Sequence, residues 1–141
     1  MTDFIAKAEI DINVPESRVW EALTTPKMIK KYMFDTTVVS DWNEGGRIIW
    51  RGEWKGKMYE DKGIILKIRP HSLFRCTHFS PISGLPDVPE NYHTLTYELS
   101  KGKEGTHLSL TQDNNKNEDE QKHSQEMWNN MLGDLKKLLE K

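Results

Sequence analysis

The sequence predicts an α+β fold in which a curved antiparallel sheet of about seven strands wraps around one long C-terminal helix. Three observations lead there. An alternating strand is followed at once by two short helices that begin with proline; the stretch from about residue 36 to residue 112 reads as consecutive strands; and the final segment is amphipathic and long enough to cross the whole sheet. With 141 residues, the chain suits a single domain over residues 1–141 built on one core, and is too short for two ordinary ones.

The opening "FIAKAEIDINV" alternates apolar and polar residues through Ile10 and Ile12, the period of a half-buried strand, and stops at Pro15. Proline fits the first turn of a helix, where its missing N–H has no partner to lose, so "PESRVWEALT" starts a short helix that buries Val19, Trp20 and Leu23. The signal repeats in "TTPKMIKKYM", with Thr25 as N-cap and Pro26 as the first helical residue. Strands follow: "TTVVSDW", the turn "NEGG", "RIIWRGEW", a turn at Lys55 and Gly56, "KMYEDKGIILKI", the break "RPHS", "LFRCTHF", a proline-rich loop, "YHTLTYEL", the turn "SKGKEG" and "THLSLTQ". Sequential hairpins of this kind make an antiparallel, strongly bent sheet.

In the last element, Trp128, Met131, Leu132, Leu135, Leu138 and Leu139 fall at spacings of three and four, which is one helical face. Asn117 is placed to cap it, with Glu120 positioned to return the bond. Glu118, Asp119 and Glu120 sit at the positive end of the helix dipole, and Lys136, Lys137 and Lys141 at the negative end. A helix over about 118 to 140 is roughly 35 Å long at 1.5 Å per residue. A sheet of this size needs such a cover for one face, so it curls around the helix.

Composition removes several function classes. Lys and Arg total 20 against 22 Asp and Glu, for a net charge of -2, and no basic cluster alternates with aromatics, which argues against nucleic-acid partners. Cys76 is the only cysteine, leaving no internal disulfide and no thiolate zinc site. "MTDFIAKAEI" lacks the basic start and apolar run of a signal peptide, and no stretch approaches the roughly 20 apolar residues of a membrane span, so a cytoplasmic location is expected. There is no Gly-x-Ser-x-Gly elbow, phosphate-binding glycine loop or dinucleotide fingerprint, and no cofactor is implied.

Taken together, "INVPESRVWEALTTPKMIKKY", "EGGRIIW", "GIILKIRPHSLF" and "HFSPISGLPDVPENYHTLTYEL" resemble the START-like helix-grip superfamily, also called SRPBCC. Within it they are similar to the branch named for homologues of the activator of heat-shock protein 90 ATPase, over nearly the whole chain. The resemblance implies a helix-grip (START-like, Bet v 1-like) fold with an interior cavity between sheet and helix. The superfamily holds lipid carriers, hormone receptors, polyketide cyclases, hydroxylase components and co-chaperone domains, so membership does not name the function. Three readings follow: a non-enzymatic binding protein for a small lipophilic, aromatic or polyketide-like molecule; a co-chaperone-like protein-interaction module; and a cyclase- or hydrolase-type enzyme.

Strand alternation gives independent support for the cavity. One face of "RIIWRGEW" carries Ile48, Trp50, Gly52 and Trp54. The same parity selects Ile64, Leu66 and Ile68, then Phe74, Cys76 and His78, then His93, Leu95, Tyr97 and Leu99, then Leu108 and Leu110, with Trp128, Met131 and Leu135 facing them. These residues either fill a core or line a partly open pocket. Large aromatics and methionine with a few polar tips favour the pocket, whose expected ligand contacts are Trp50, Trp54, Phe74, His78, His93, Tyr97, Trp128, Met131 and Leu135.

His78 and His93 end the two strands joined by the proline loop, which lets them face each other near the cavity mouth, either as hydrogen-bonded structural histidines or as polar contacts to a ligand. No third ligand stands at metal-binding spacing, so no metal is expected. Prolines at 81, 86 and 89 stiffen the loop, as a lid over the entrance or as a rigid connector. Cys76, with inward parity, is expected to stay a buried thiol. Strict alternation turns Glu60 inward with Met58 and Ile64 as an acid-base group beside His78 and Tyr97, whereas a bulge at Gly63 turns it to solvent. No catalytic residue is assigned.

Overall fold

A computed structural model describes residues 4–141. Strand β1 (Phe4–Ile12) leads into helix α1 (Glu16–Thr24), whose first N–H donors at Arg18 and Val19 reach the carbonyl of Pro15, the cap residue. Helix α2 (Pro26–Tyr32) starts where Pro26 predicts, although the Thr25 hydroxyl makes no capping bond. The Tyr32 hydroxyl instead donates to the Ala22 carbonyl at 2.8 Å and ties α2 back to α1. Six strands follow: β2 (Thr37–Ser40), β3 (Arg47–Trp54), β4 (Lys57–Arg69), β5 (Leu73–His78), β6 (His93–Lys101) and β7 (Thr106–Asn115). Helix α3 (Glu118–Leu139) closes the chain, with the Asn117 side chain accepting from the Glu120 N–H at 2.9 Å.

All seven strands form one antiparallel sheet in the order β1-β7-β6-β5-β4-β3-β2. Consecutive hairpins run from β2 to β7, and β1 adds beyond β7, so α1 and α2 carry the chain from one edge to the other. The curved sheet grips α3 in the helix-grip arrangement, and α3 turns Trp128, Met131, Leu132, Leu135 and Leu139 into the core. None of the described helices is long and apolar enough to cross a membrane.

Strand β4 departs from the simple alternation. Ile64 and Leu66, expected inside, are 39% and 47% exposed, and Met58 is 76% exposed; Gly63 and Ile65 face inward in their place. The register slips by one residue between Ile65 and Lys67, after which Ile68 returns to the inner side opposite Phe74. Glu60 therefore lies on the outer face, paired with Arg51 at 2.6 Å from Nε to Oε1 in an exposed ion pair, and supplies no interior acid or base. Gly63 is not the bulge itself. It is the point where β4 and β5 approach so closely that a Cβ would run into the Thr77 carbonyl oxygen.

The outer face also holds a charge cluster. His107 on β7 meets Asp11 through Nδ1 at 2.9 Å and Glu9 through Nε2 at 3.1 Å, both carboxylates being on β1. The bond to Asp11, then that to Glu9, raises the His107 pKa above its ordinary value. A raised folded pKa stabilises fully below the unfolded value of about 6.5 and loses that stabilisation as pH rises through the folded one. The melting temperature should fall modestly between about pH 6 and 8, because partial exposure screens the cluster. Replacing His107 with Gln should flatten that slope in a thermal-shift series at low salt, and an unchanged slope would remove His107 as its source.

Candidate functional site

Several half-buried polar side chains meet at one end of the grip, where β5 passes to β6 through the loop 79–92. This loop is held in place. Pro81–Ser83 and Pro89–Asn91 each make a short helical turn, and Gly84 between them takes the left-handed conformation (φ 79°) that glycine allows. Phe79 stacks on Tyr92 at 5.0 Å, and Asn91 Nδ2 donates to the Pro86 carbonyl at 2.8 Å. Lys62 pairs with Asp87, which also accepts from the Tyr92 hydroxyl at 2.6 Å; Lys62 first and Tyr92 second hold the Asp87 carboxyl below its usual range. Asn114 Nδ2 donates to the carbonyls of Glu90 and Tyr92 at 2.7 and 3.0 Å, anchoring the loop to the end of β7.

Beneath the loop, His78 and His93 are direct cross-strand partners whose rings stack at 6.3 Å. The Trp50 ring meets His78 edge-on at 4.9 Å. Asp61, opposite Trp50 on β4, accepts from His78 Nε2 at 2.9 Å, in a pair whose side chains are only 15% and 20% exposed, respectively. The other atom of each partner, Asp61 Oδ1 and His78 Nδ1, is closed off from solvent without a hydrogen-bond partner. His93 Nδ1 donates to the Asp113 carbonyl at 2.8 Å. A cleft of about 250 Å³ opens here, lined by both histidines, by Ser80, Ser83, Leu85, Glu90 and Asn91 of the loop, and by Asn114, Lys116 and Glu120.

The other expected contacts lie deeper. Trp50, Phe74, Tyr97, Trp128, Met131 and Leu135 all belong to one buried cluster, with Phe74 and Tyr97 5.9 Å apart ring to ring. The Trp54 side chain lies outside the described residues. Of the nine expected contacts, His78 and His93 reach the cleft, and Trp50 reaches it through His78. Burial keeps the Tyr97 hydroxyl and the Cys76 thiol protonated by pushing both pKa values up, so neither is poised as a base or nucleophile. Among the described residues, no group of three or more His, Cys, Asp or Glu side chains is placed to hold a metal ion.

Two features escaped the sequence reading. Asp61 was hidden by the phase slip in β4. Gln112 was within reach, since alternation through Leu108 and Leu110 continues to it; its Oε1 accepts from Trp128 Nε1 at 2.8 Å and its Nε2 donates to Asn115 Oδ1 at 3.1 Å. That buried network satisfies the indole N–H and fixes how α3 sits on β7.

Residues 13–140 match the model of the family described as Activator of Hsp90 ATPase homolog 1-like protein. The solution structure of ChR145 from Cytophaga hutchinsonii is similar at a TM-score of 0.85 and 57% identity, over 96% of this chain and 93% of that one. The solution structure of the Aha1 dimer from Colwellia psychrerythraea shares the fold at a TM-score of 0.75 and 20% identity, over 99% and 96% of the two chains. DynU16, from the dynemicin biosynthetic locus, shares it at a TM-score of 0.80 and 17% identity, over 99% of this chain and 48% of that one. No curated protein matches the chain.

Proposed function

We propose a function from one premise: this chain belongs to the family of Activator of Hsp90 ATPase homolog 1-like proteins. It acts as a binding protein for a small lipophilic molecule with an aromatic part, admitted under the proline loop and held against Trp50 and the two histidines. The observation that carries this is the Asp61–His78 pair, which keeps two polar atoms out of water without partners beside an open cleft. An unpaired buried polar group costs about 1–3 kcal/mol, and a purely structural histidine pair would be expected to satisfy both atoms. A guest that supplies the missing bonds recovers that cost. The cleft of about 250 Å³ suits a molecule of one or two rings, since drug-sized ligands occupy roughly 300–1,000 Å³. Met131, Trp128 and Phe74 form the apolar ground behind it, and the flexible thioether of Met131 allows a larger guest to reach inward.

Titration with a small aromatic compound should quench tryptophan fluorescence, with a dissociation constant in roughly the micromolar range expected of few polar contacts. Trp50→Leu should remove most of the quenching; quenching that survives in full would place the guest elsewhere.

A protein-interaction role is the second reading, favoured by Met58, Ile64 and Leu66 standing exposed on the outer face of β4. Stimulation of an Hsp90 ATPase by this chain, lost on changing Ile64 and Leu66 to Lys, would support it.

A further inference from the structure

We infer that the guest is a hydroxylated aromatic whose hydroxyl donates a hydrogen bond to His78 Nδ1, and that the Asp61–His78 pair selects it over the same ring system bearing only acceptors. This deepens the binding role proposed above and rests on it. The polarity of the site follows from proton placement. A carboxylate only accepts, so in a singly protonated ring the 2.9 Å bond to Asp61 Oδ2 places the proton on His78 Nε2. Nδ1 is then a lone pair, closed off from water and without a partner, and so is Asp61 Oδ1. The neighbouring ring is fixed the same way: His93 Nδ1 donates to the Asp113 carbonyl, which leaves Nε2 as an acceptor.

The two stacked imidazoles that line the cleft thus present lone pairs and no free N–H, with the Asp61 carboxylate behind them. A ketone or ether oxygen set against His78 meets a lone pair and leaves Nδ1 unpaired, whereas a hydroxyl there pairs with it; the donors of the cleft stand on Ser80, Ser83 and Lys116 and not on the histidine pair. An aromatic hydroxyl keeps its O–H in the ring plane, so the guest ring meets His78 edge to edge, in line with the Nδ1 lone pair. Sites built to bond a ligand hydroxyl reject the analogue lacking it more strongly than apolar pockets reject a missing methylene. Asp61 acts at one remove as a positioning residue, because it sets which nitrogen of His78 is bare.

The test uses naphthol and its methyl ether as probes, titrated into the intact chain by calorimetry and tryptophan fluorescence. The wild type is expected to bind naphthol at least about tenfold more tightly than the ether. His78→Phe, which keeps a ring in the stack, should bring naphthol down to the level of the ether while leaving the ether unchanged. Asp61→Asn allows an amide N–H to donate to Nε2, so that the proton can sit on Nδ1; the preference for naphthol should shrink although the ring is intact. An ether that binds wild type as tightly as naphthol overturns the hydroxyl contact and leaves the lipophile-binding role standing. Failure of both probes to bind the folded chain sinks that role together with this one. If His78→Phe does not fold by circular dichroism, the wild-type comparison alone decides.

Discussion

A chain ended after Asn117 is expected to lose its cooperative unfolding transition altogether. The missing helix contributes Trp128, Met131, Leu132, Leu135 and Leu139 to the core and the Trp128 end of the bond to Gln112. Removing one such leucine typically costs about 2–5 kcal/mol, so five lost side chains exceed the whole stability of an ordinary domain, about 5–15 kcal/mol. Calorimetry on the truncated chain should show a broad, featureless trace. A sharp endotherm would mean that the sheet closes on itself and that α3 is an accessory.

Met131→Arg is expected to be nearly as damaging. Met131 is 0% exposed and packed inside the main cluster, so the guanidinium would lose its water without gaining a counter-charge. An unpaired buried charge of this kind costs at least about 3–5 kcal/mol, against less than about 1.5 kcal/mol for the volume-conserving Met131→Leu. Urea denaturation of the two variants should separate them clearly, with the leucine form close to the parent. If the arginine variant melts like the parent, the interior behind the cleft has room for a hydrated side chain, and the guest extends much deeper than His78.

Periodicity made nearly all of the architecture legible. The apolar spacing from Trp128 to Leu139 found α3 and its buried face, and Pro15 and Pro26 found the starts of two short helices. Alternation oriented the inward residues on β5, β6 and β7 because those strands keep one phase. It failed on β4 for a physical reason: Ile64, Ile65 and Leu66 are apolar on both faces, so composition does not choose between the two phases, and the one-residue slip at the bulge is set by pairing with β5. A one-residue error in phase exchanges every inward and outward side chain. That exchange brought Glu60 in and put Asp61 out, concealing the carboxylate that sets the proton of His78. The two histidines themselves were found because they flank a loop and fall opposite each other in register.

The pairing of β1 with β7 also bears on how the molecule is made. Among the described strands β1 has β7 alone beside it, through pairs such as Ala8 with Leu110, although β7 is the furthest from it along the chain. At about 5–20 residues per second, β1 waits on the order of 5–20 s at the ribosome before its partner emerges. During that interval its buried row of Ala6, Ala8 and Ile12 and its unpaired backbone are open to other chains. Closing so long a loop places this fold among those rich in non-local contacts, which fold in milliseconds to seconds rather than microseconds. The yield of native protein should therefore depend more on translation rate and on holding chaperones than on the stability of the finished sheet.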